Sequence, residues 1–173
     1  MELLDVVDIN GIPTGKTIVR GDKSYKFKEG EYVHVGVIFI ENDEHEFLIQ
    51  KTSKEKGGYY SSTGGHIDHG ELPDDSIKRE VEEELGINVD DDNIEKYGYI
   101  IQGPVIKYIY YLNKNIDINK CVLQEEEVEA IKYMTVDEIN NLIDDDLMLS
   151  SHAAMFKELL KRKNNKKVLS KHI

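Results

Sequence analysis

Hydrophobic residues recur along the chain with two periods, one typical of β-strands and one typical of α-helices. Period-two alternation with β-branched and aromatic residues predicts six strands, at residues 2–8, 32–40, 46–52, 94–102, 105–113 and 128–134. Helical spacing predicts three helices, in the second half of residues 64–87, at 136–144 and at 150–163. Strands on either side of a central helix, with further helices at the end, indicate an α/β protein with α/β/α layers.

The segments between these elements have the residues of turns and loops. Asn42-Asp43 and Gly103-Pro104 are predicted turns between neighbouring strands, and Thr135 begins a capping box for the helix at 136–144. We interpret residues 10–15 as a turn, 17–31 as a polar loop, 87–93 as a connector and 164–173 as a loose tail. The 173 residues have the length of one domain, and we expect a single domain over 1–173.

Two of the predicted strands are rich in tyrosine. At period two, Tyr97 and Tyr99 share one strand face, as do Tyr108 and Tyr110, while Tyr111 points the other way. Such a stripe usually packs in a core. The alternative is that one of these rings stacks on a substrate base.

The helix predicted within residues 64–87 has an acidic side next to its apolar side. Its apolar arc consists of Ile77, Val81 and Leu85. Beside that arc lie three acids, Glu80, Glu83 and Glu84, whereas Glu82 falls outside. Acids at i and i+4 repel, and carboxylates at the end of a helix oppose its dipole. Because Arg79 cannot neutralise three acids alone, the pattern favours a divalent cation with oxygen ligands. The alternative is a solvated, charge-rich helix face.

The residues around this helix form a longer motif. Gly64-Gly65 precede a turn, Gly70-Glu71 follow it, Pro73 begins the helix and Gly86 is its expected C-cap. The stretch resembles the Nudix box, G-x5-E-x7-R-E-U-x-E-E-x-G-U with U aliphatic. All nine fixed positions match, at Gly65, Glu71, Arg79, Glu80, Val81, Glu83, Glu84, Gly86 and Ile87.

The resemblance implies a fold and an activity. The fold would be the Nudix fold, an α/β/α sandwich around a central mixed β-sheet, and the activity would be metal-dependent hydrolysis of a diphosphate bond in a nucleoside diphosphate linked to another moiety. Glu80, Glu83 and Glu84, with the carbonyl of Gly64, would bind Mg²⁺ or Mn²⁺. The resemblance leaves a homodimer open, because members of the family often dimerise.

The catalytic residues that the resemblance implies are Glu71, Arg79, Glu83 and Glu127. Glu71 and Arg79 would orient the metal carboxylates. The general base is either a box glutamate or a later acid of the run Glu125, Glu126 and Glu127, of which we favour Glu127.

The stretches around the box resemble the isopentenyl-diphosphate isomerase-like branch of the family. His34 and His66 match two metal histidines of those isomerases, although packing or hydrogen bonding is the simpler role for both. The isomerase cysteine is replaced by Gly64, and the complete acidic box is retained, so the sequence argues against isomerisation. A third alternative, a non-catalytic domain that senses a nucleotide, is disfavoured because no box carboxylate is lost.

The composition of the chain limits the kinds of partner that we expect it to bind. The net charge of −12 argues against duplex nucleic acid as a partner. Arg20, Lys23, Lys26 and Lys28 are the nearest approach to a phosphate-binding patch, and solvated loop charge is their simpler interpretation. No apolar run has the length of a membrane helix, and the N-terminal segment is acidic where a signal peptide is basic, so we expect a soluble, cytoplasmic protein.

The chain has a single cysteine, Cys121, which excludes an internal disulfide within this sequence. We interpret it as a small, partly buried hydrophobe at the start of a strand rather than as a nucleophile.

Overall fold

The computed structural model, which describes residues 2–171, contains a seven-stranded mixed sheet with helices on both faces and a separate two-stranded sheet. The strands are β1 Leu3–Val7, β2 Pro13–Val19, β3 Val33–Glu41, β4 Phe47–Thr52, β5 Tyr60–Ser61, β6 Thr63–His66, β7 Glu95–Gln102, β8 Val105–Asn113 and β9 Val128–Met134. The helices are α1 Pro73–Leu85, α2 Val136–Asp144 and α3 Ser150–Lys171.

The main sheet has the strand order β5-β4-β3-β8-β7, with β6 paired to β3 and β9 paired to β4. The neighbours β3 and β8 are parallel, and the other pairs are antiparallel. Because β3 pairs with both β8 and β6, it lies in the middle of the sheet. It thereby holds the glycine-rich β6 next to α1.

Each face of the main sheet has its own apolar core. On one face, Phe156 of α3 packs against Phe39 and Phe47, with ring centroids 5.6 and 5.1 Å apart. On the other face, the predicted apolar arc of α1, formed by Ile77, Val81 and Leu85, packs against buried residues of β3 and β8. The α/β/α layering predicted from the sequence is therefore confirmed.

The N-terminal region differs from the prediction. Residues 13–19 form β2, which pairs antiparallel with β1, whereas we predicted a turn followed by a loop. The side chains of β2 are almost all exposed, so the segment carries no apolar alternation that would reveal a strand. The short strands β5 and β6 are also absent from the prediction, because two to four residues are too few to show a period.

The prediction that Tyr97 and Tyr99 share a face is wrong. Gly98 has φ +81°, and the register between β7 and β8 shifts between Lys96 and Tyr99. This bulge inverts the alternation. As a result Tyr97 packs against Tyr111 on the α3 side, and Tyr99 faces Tyr108 on the α1 side.

The other tyrosine assignments are confirmed. Tyr108 and Tyr110 both pack on the α1 side of the sheet, and Tyr111 packs on the opposite side.

Two further predictions need correction. Residues 164–171 continue α3, where we predicted a loose tail; residues 172–173 lie outside the described part of the chain. Cys121 is partly buried against the α1-side core, as predicted, but it follows a 3-10 turn and lies well before β9 rather than at the start of a strand. No helix within residues 2–171 combines the length and apolar character needed to span a bilayer.

Candidate active site

The acidic side of α1 is fixed by the way the helix begins and ends. Pro73 is in the first turn, and Gly86 closes the helix with φ 68°, its N–H bonded to the carbonyl of Glu82. Burial of the apolar arc then turns Glu80 and Glu84 toward β6, while Glu82 stays exposed as predicted.

Glu84 is the most deeply buried of these acids, with 7% of its surface exposed. Its Oε1 accepts a hydrogen bond from Gln50 at 2.9 Å, and its Oε2 accepts one from the backbone N–H of Gly64 at 3.1 Å. Burial, together with the charges of Glu80 and Glu127, raises the pKa of Glu84 to about 8.

Glu80 lies beside Glu84, and its pKa is also raised by burial. Burial, together with the charge of Glu83, raises its pKa to about 6 although the Arg79 guanidinium opposes the shift. Because ionisation of these two neighbouring buried acids is unfavourable, a cation beside them would be strongly favoured.

Arg79 holds the box together through several carboxylates. Its Nε and Nη2 donate to the two oxygens of Glu71 at 2.7 and 3.0 Å, a bidentate pair. Its Nη1 donates to Glu83 at 3.0 Å and lies 3.2 Å from Glu80. The hydrogen bonds to Glu71 raise the pKa of Arg79 above its ordinary value. Arg79 thus links Glu71 of the loop to Glu80 and Glu83 of the helix.

The glycines of β6 allow α1 to approach closely. A Cβ atom on Gly65 would lie 2.8 Å from the carboxyl carbon of Glu80. A Cβ atom on Gly64 would lie 2.8 Å from the Cα of Val37 in the neighbouring strand. Neither position has room for a side chain without movement of the backbone or of the acid.

The loop before β9 brings Glu127 to the same place. Backbone N–H groups of Val122 and Gln124 donate to the carbonyls of Leu85 and Glu84 at the end of α1, at 3.0 and 3.2 Å. This docking places Glu127 in the wall of the cavity that contains the box acids, whereas Glu125 and Glu126 line a different surface cleft.

The resulting cavity has a volume of about 120 Å³. Its twelve lining residues are Glu2, Arg20, Gly64, Gly65, His66, Asp68, Arg79, Glu80, Glu83, Glu84, Gln124 and Glu127. Of the predicted site residues, only Glu71 is outside this wall, and it contacts the cavity through Arg79.

Sequence reasoning missed several residues of the site. Gln50 and Thr63 support Glu84 from behind, and Glu2, Asp68 and Gln124 line the cavity. Little in the sequence signalled Gln50, which is the first polar residue after the apolar run 47–49 of β4.

Some of the remaining candidate residues line the cavity and others lie outside it. His34 is buried and contacts the hydroxyl of Tyr108 at 3.2 Å, a packing and hydrogen-bonding role. His66 lines the cavity, and burial lowers its pKa to about 4. Arg20 also lines the cavity, whereas Lys23 and Lys26 are exposed and outside it.

Burial raises the pKa of the Cys121 thiol, which does not favour a nucleophile.

The donor set suits a hard cation, although its side chains point to other partners. Within residues 2–171, no three Asp, Glu, His or Cys side chains are preassembled around a point that fits a metal ion. Arg79 engages Glu80 and Glu83, and Gln50 engages Glu84. The oxygen donors and the raised pKa values of Glu80 and Glu84 suit Mg²⁺ or Mn²⁺, for which these carboxylates would exchange Arg79 and Gln50 for the ion.

Comparison with known proteins gives a family match over most of the chain. Residues 31–158 match the model of the NUDIX domain. An uncharacterized Nudix hydrolase of Listeria monocytogenes is 33% identical over 147 residues, which cover 82% of this chain and 85% of the relative.

Solved structures share the fold. A Deinococcus radiodurans protein is similar with a TM-score of 0.76 and 18% identity, over 90% of this chain and 98% of the other. The NUDIX domain of Shewanella oneidensis NrtR in complex with ADP ribose has a TM-score of 0.62 and 15% identity, over 82% and 92% of the two chains. The match over most of the chain, together with the complete acidic box around the cavity, shows that this protein belongs to the Nudix family.

Proposed function

We propose that the protein is a metal-dependent Nudix pyrophosphohydrolase that cleaves the diphosphate bond of a nucleoside diphosphate linked to another moiety. The observation that carries the proposal is the convergence of Glu80, Glu83, Glu84 and Glu127 on one cavity, with the pKa values of Glu80 and Glu84 raised by burial. Buried acids whose pKa values are raised in this way are typical of catalytic sites.

The proposed cofactor is Mg²⁺ or Mn²⁺, held by Glu80, Glu83 and Glu84, with the carbonyl of Gly64 as a further ligand. When bound, such an ion neutralises phosphoryl oxygens and lowers the pKa of a coordinated water. Gln50 and the N–H of Gly64 orient the Glu84 carboxylate, and Arg79 with Glu71 orients Glu80 and Glu83.

In the proposed reaction a water oxygen attacks one phosphorus of the diphosphate, and the bridging P–O bond breaks. We propose Glu127 as the base that takes the proton of that water, because it lines the same cavity as the box acids and belongs to a different segment of the chain. Glu83 remains the alternative base, since nearly half of its side-chain surface is exposed and it also lines the cavity.

The backbone around Gly64 supports hydrolysis over isomerisation. The related isomerases carry a catalytic cysteine at this position, and here a Cβ atom would crowd Val37 and the carbonyl of Gly36. The resemblance to the isomerase-like branch therefore concerns sequence outside the reacting groups. The expected cytoplasmic location and a homodimer stay predictions.

The test is phosphate release, after a coupling phosphatase or pyrophosphatase step, from a panel of substrates with Mg²⁺ or Mn²⁺. The panel includes nucleotides, dinucleotides, nucleotide sugars and isoprenoid diphosphates. ADP-ribose belongs in it because a NUDIX domain of the same fold binds that ligand. We expect release from one class of nucleoside diphosphate derivative and none with EDTA.

Glu84→Gln should abolish metal-dependent turnover and leave the protein folded, because it removes a ligand charge and relieves the repulsion with Glu80. The matched control is Glu82→Gln, which makes the same change on the exposed side of α1. Near-normal activity of Glu84→Gln, or equal loss in both variants, would contradict the site assignment.

A further inference from the structure

The N-terminal hairpin of β1 and β2 lies outside the matched NUDIX region, which begins at residue 31. It nevertheless supplies two residues of the cavity wall, Glu2 and Arg20. The hairpin is thus an addition to the matched domain that reaches the proposed catalytic site.

The hairpin is attached to the loop of the box by a built contact. Asp5 is 7% exposed, its Oδ1 lies 2.6 Å from Nδ1 of His69 and its Oδ2 accepts from the N–H of Gly70 at 2.9 Å. The N–H of His69 also donates to the carbonyl of Leu3 at 2.9 Å. These contacts fix Glu2 and Arg20 relative to the box.

Arg20 and Arg79 are the two arginines of the cavity wall, and the contacts they make differ. Arg79 has Nε, Nη1 and Nη2 all engaged by carboxylates of the box. Arg20 donates through Nη1 to Glu2 at 2.8 Å, and about half of its side-chain surface is exposed. A guanidinium carries five N–H donors, so Arg20 has donors that this bond does not use.

The size and the charge of the cavity indicate that a substrate would need the unused N–H donors of Arg20. A volume of about 120 Å³ holds roughly four water molecules, so most of a nucleotide must lie outside the cavity, beside half-exposed wall residues that include Glu2 and Arg20. Six acids line the wall against two arginines, which repels an anionic substrate. Of the two arginines of the wall, Arg20 is the one with N–H donors left for a phosphate that extends out of the cavity.

Building on the proposed function, we propose that Arg20 binds a phosphate group of the substrate and that Glu2 is an internal competitor for it. In the free protein the Glu2 carboxylate accepts a hydrogen bond from the Arg20 guanidinium. A bound diphosphate displaces Glu2 and takes the bidentate geometry that arginine offers to phosphate. Arg20 is therefore a substrate-positioning residue specific to the hairpin.

The experiment measures binding of methylenediphosphonate, a diphosphate that is not hydrolysed, by calorimetry with and without Mg²⁺. The full-length protein is compared with Arg20→Gln, Glu2→Gln and the charge-matched control Lys23→Gln, whose side chain is exposed outside the cavity. We expect Arg20→Gln to weaken binding about 10- to 100-fold, as for loss of a hydrogen bond between charged groups. Glu2→Gln should tighten binding, and Lys23→Gln should leave it unchanged.

Equal affinities of Arg20→Gln and Lys23→Gln, weaker binding by Glu2→Gln, or no binding by the unmodified protein would each overturn the inference. Thermal unfolding of each variant verifies that the hairpin is intact. The binding measurement needs no turnover, so it separates the two proposals. If no panel substrate is hydrolysed but Arg20→Gln binds methylenediphosphonate more weakly than the unmodified protein does, the hydrolase proposal fails and the phosphate-binding role of Arg20 stands.

Discussion

Gln50 donates its side-chain amide to Oε1 of Glu84 across 2.9 Å, and Thr63 donates its hydroxyl to the amide oxygen of the same Gln50, also at 2.9 Å. All three side chains are buried. Because the hydroxyl of Thr63 donates to the amide oxygen, the amide NH₂ is left to face Glu84. The chain Thr63–Gln50–Glu84 therefore sets the orientation of the most buried acid of the cavity.

Gln50→Leu should lower metal affinity and kcat/KM about 10- to 100-fold, the usual cost of losing a group that orients a metal ligand. Without the amide, Glu84 keeps its burial but loses a hydrogen bond to its charged form. Titration calorimetry with Mg²⁺ and steady-state kinetics measure the two effects. Gln102→Leu, a change of the same type on the exposed strand β7, is the control. Equal behaviour of the two variants would refute an orienting role for Gln50.

Arg79→Lys should destabilise the protein by about 1–3 kcal/mol and reduce turnover, because lysine cannot form the bidentate pair with Glu71. A double-mutant cycle with Glu71→Gln, followed by urea unfolding, measures the coupling. We expect the double variant to be less destabilised than the sum of the single ones. Additive effects would mean that the pair does not act as a unit.

Glu127→Gln should lower kcat substantially, while Glu126→Gln and Glu125→Gln should have little effect. The three acids are consecutive, yet only Glu127 lines the cavity of the box acids. The measurement is kcat for each variant at saturating metal and substrate. If Glu127→Gln retains full kcat, the base is to be sought in the box, with Glu83 the next variant to make.

His152 should make the protein sensitive to acid. Its Nδ1 accepts a hydrogen bond from the N–H of Ser62 at 3.0 Å, and burial lowers its pKa to about 4. The folded protein binds this proton less readily than the unfolded chain, whose histidine titrates near 6.5. The contribution of neutral His152 to stability is therefore complete above pH 6.5 and is lost as pH falls toward 4, by up to about 3 kcal/mol.

Chemical unfolding at several pH values checks this dependence. His152→Gln should flatten the pH profile between 6.5 and 4 relative to the unmodified protein. Parallel profiles for the unmodified protein and His152→Gln would show that the acid sensitivity has another origin.

The elements with a clear apolar period were predicted closely. Strand β9 and helix α2 have the predicted bounds, and the acidic side of α1 was recognised because its spacing places the acids beside the apolar arc. Strand β2 was missed for the converse reason, since its exposed side chains carry no period. The Gly98 bulge shows a third case, in which a single residue reverses the faces that period two predicts.

The site was only partly predictable because a motif lists residues that are close in sequence. Gln50 reaches Glu84 through the pairing of the strands, and Glu2 and Arg20 reach the cavity through the contact of Asp5 with the box loop. These relationships depend on tertiary packing, which the local pattern does not record. Glu127 was selected among three adjacent acids by the family resemblance, and the docking of Val122 and Gln124 onto the end of α1 explains why Glu127 lines the cavity.

Gly86 joins helix α1 to the loop that carries Glu127. Its φ is +68°, and an added Cβ atom would lie 2.8 Å from both Cβ and O of Val122. Val122 is part of the backbone connection that docks the loop on the helix end, through its N–H bond to Leu85. A side chain at position 86 would therefore disturb both the helix terminus and the loop.

Gly86→Ala should destabilise the protein by about 1–3 kcal/mol and also reduce kcat, because the loop and Glu127 shift. Gly103→Ala is the control: Gly103 also has positive φ, 57°, but no atom lies within 4 Å of its added Cβ. It should show the conformational cost alone and keep its activity. Thermal unfolding and kcat, measured well below the lowest melting temperature, separate the two effects. If both alanine variants keep full kcat, the close contact with Val122 has no part in positioning Glu127.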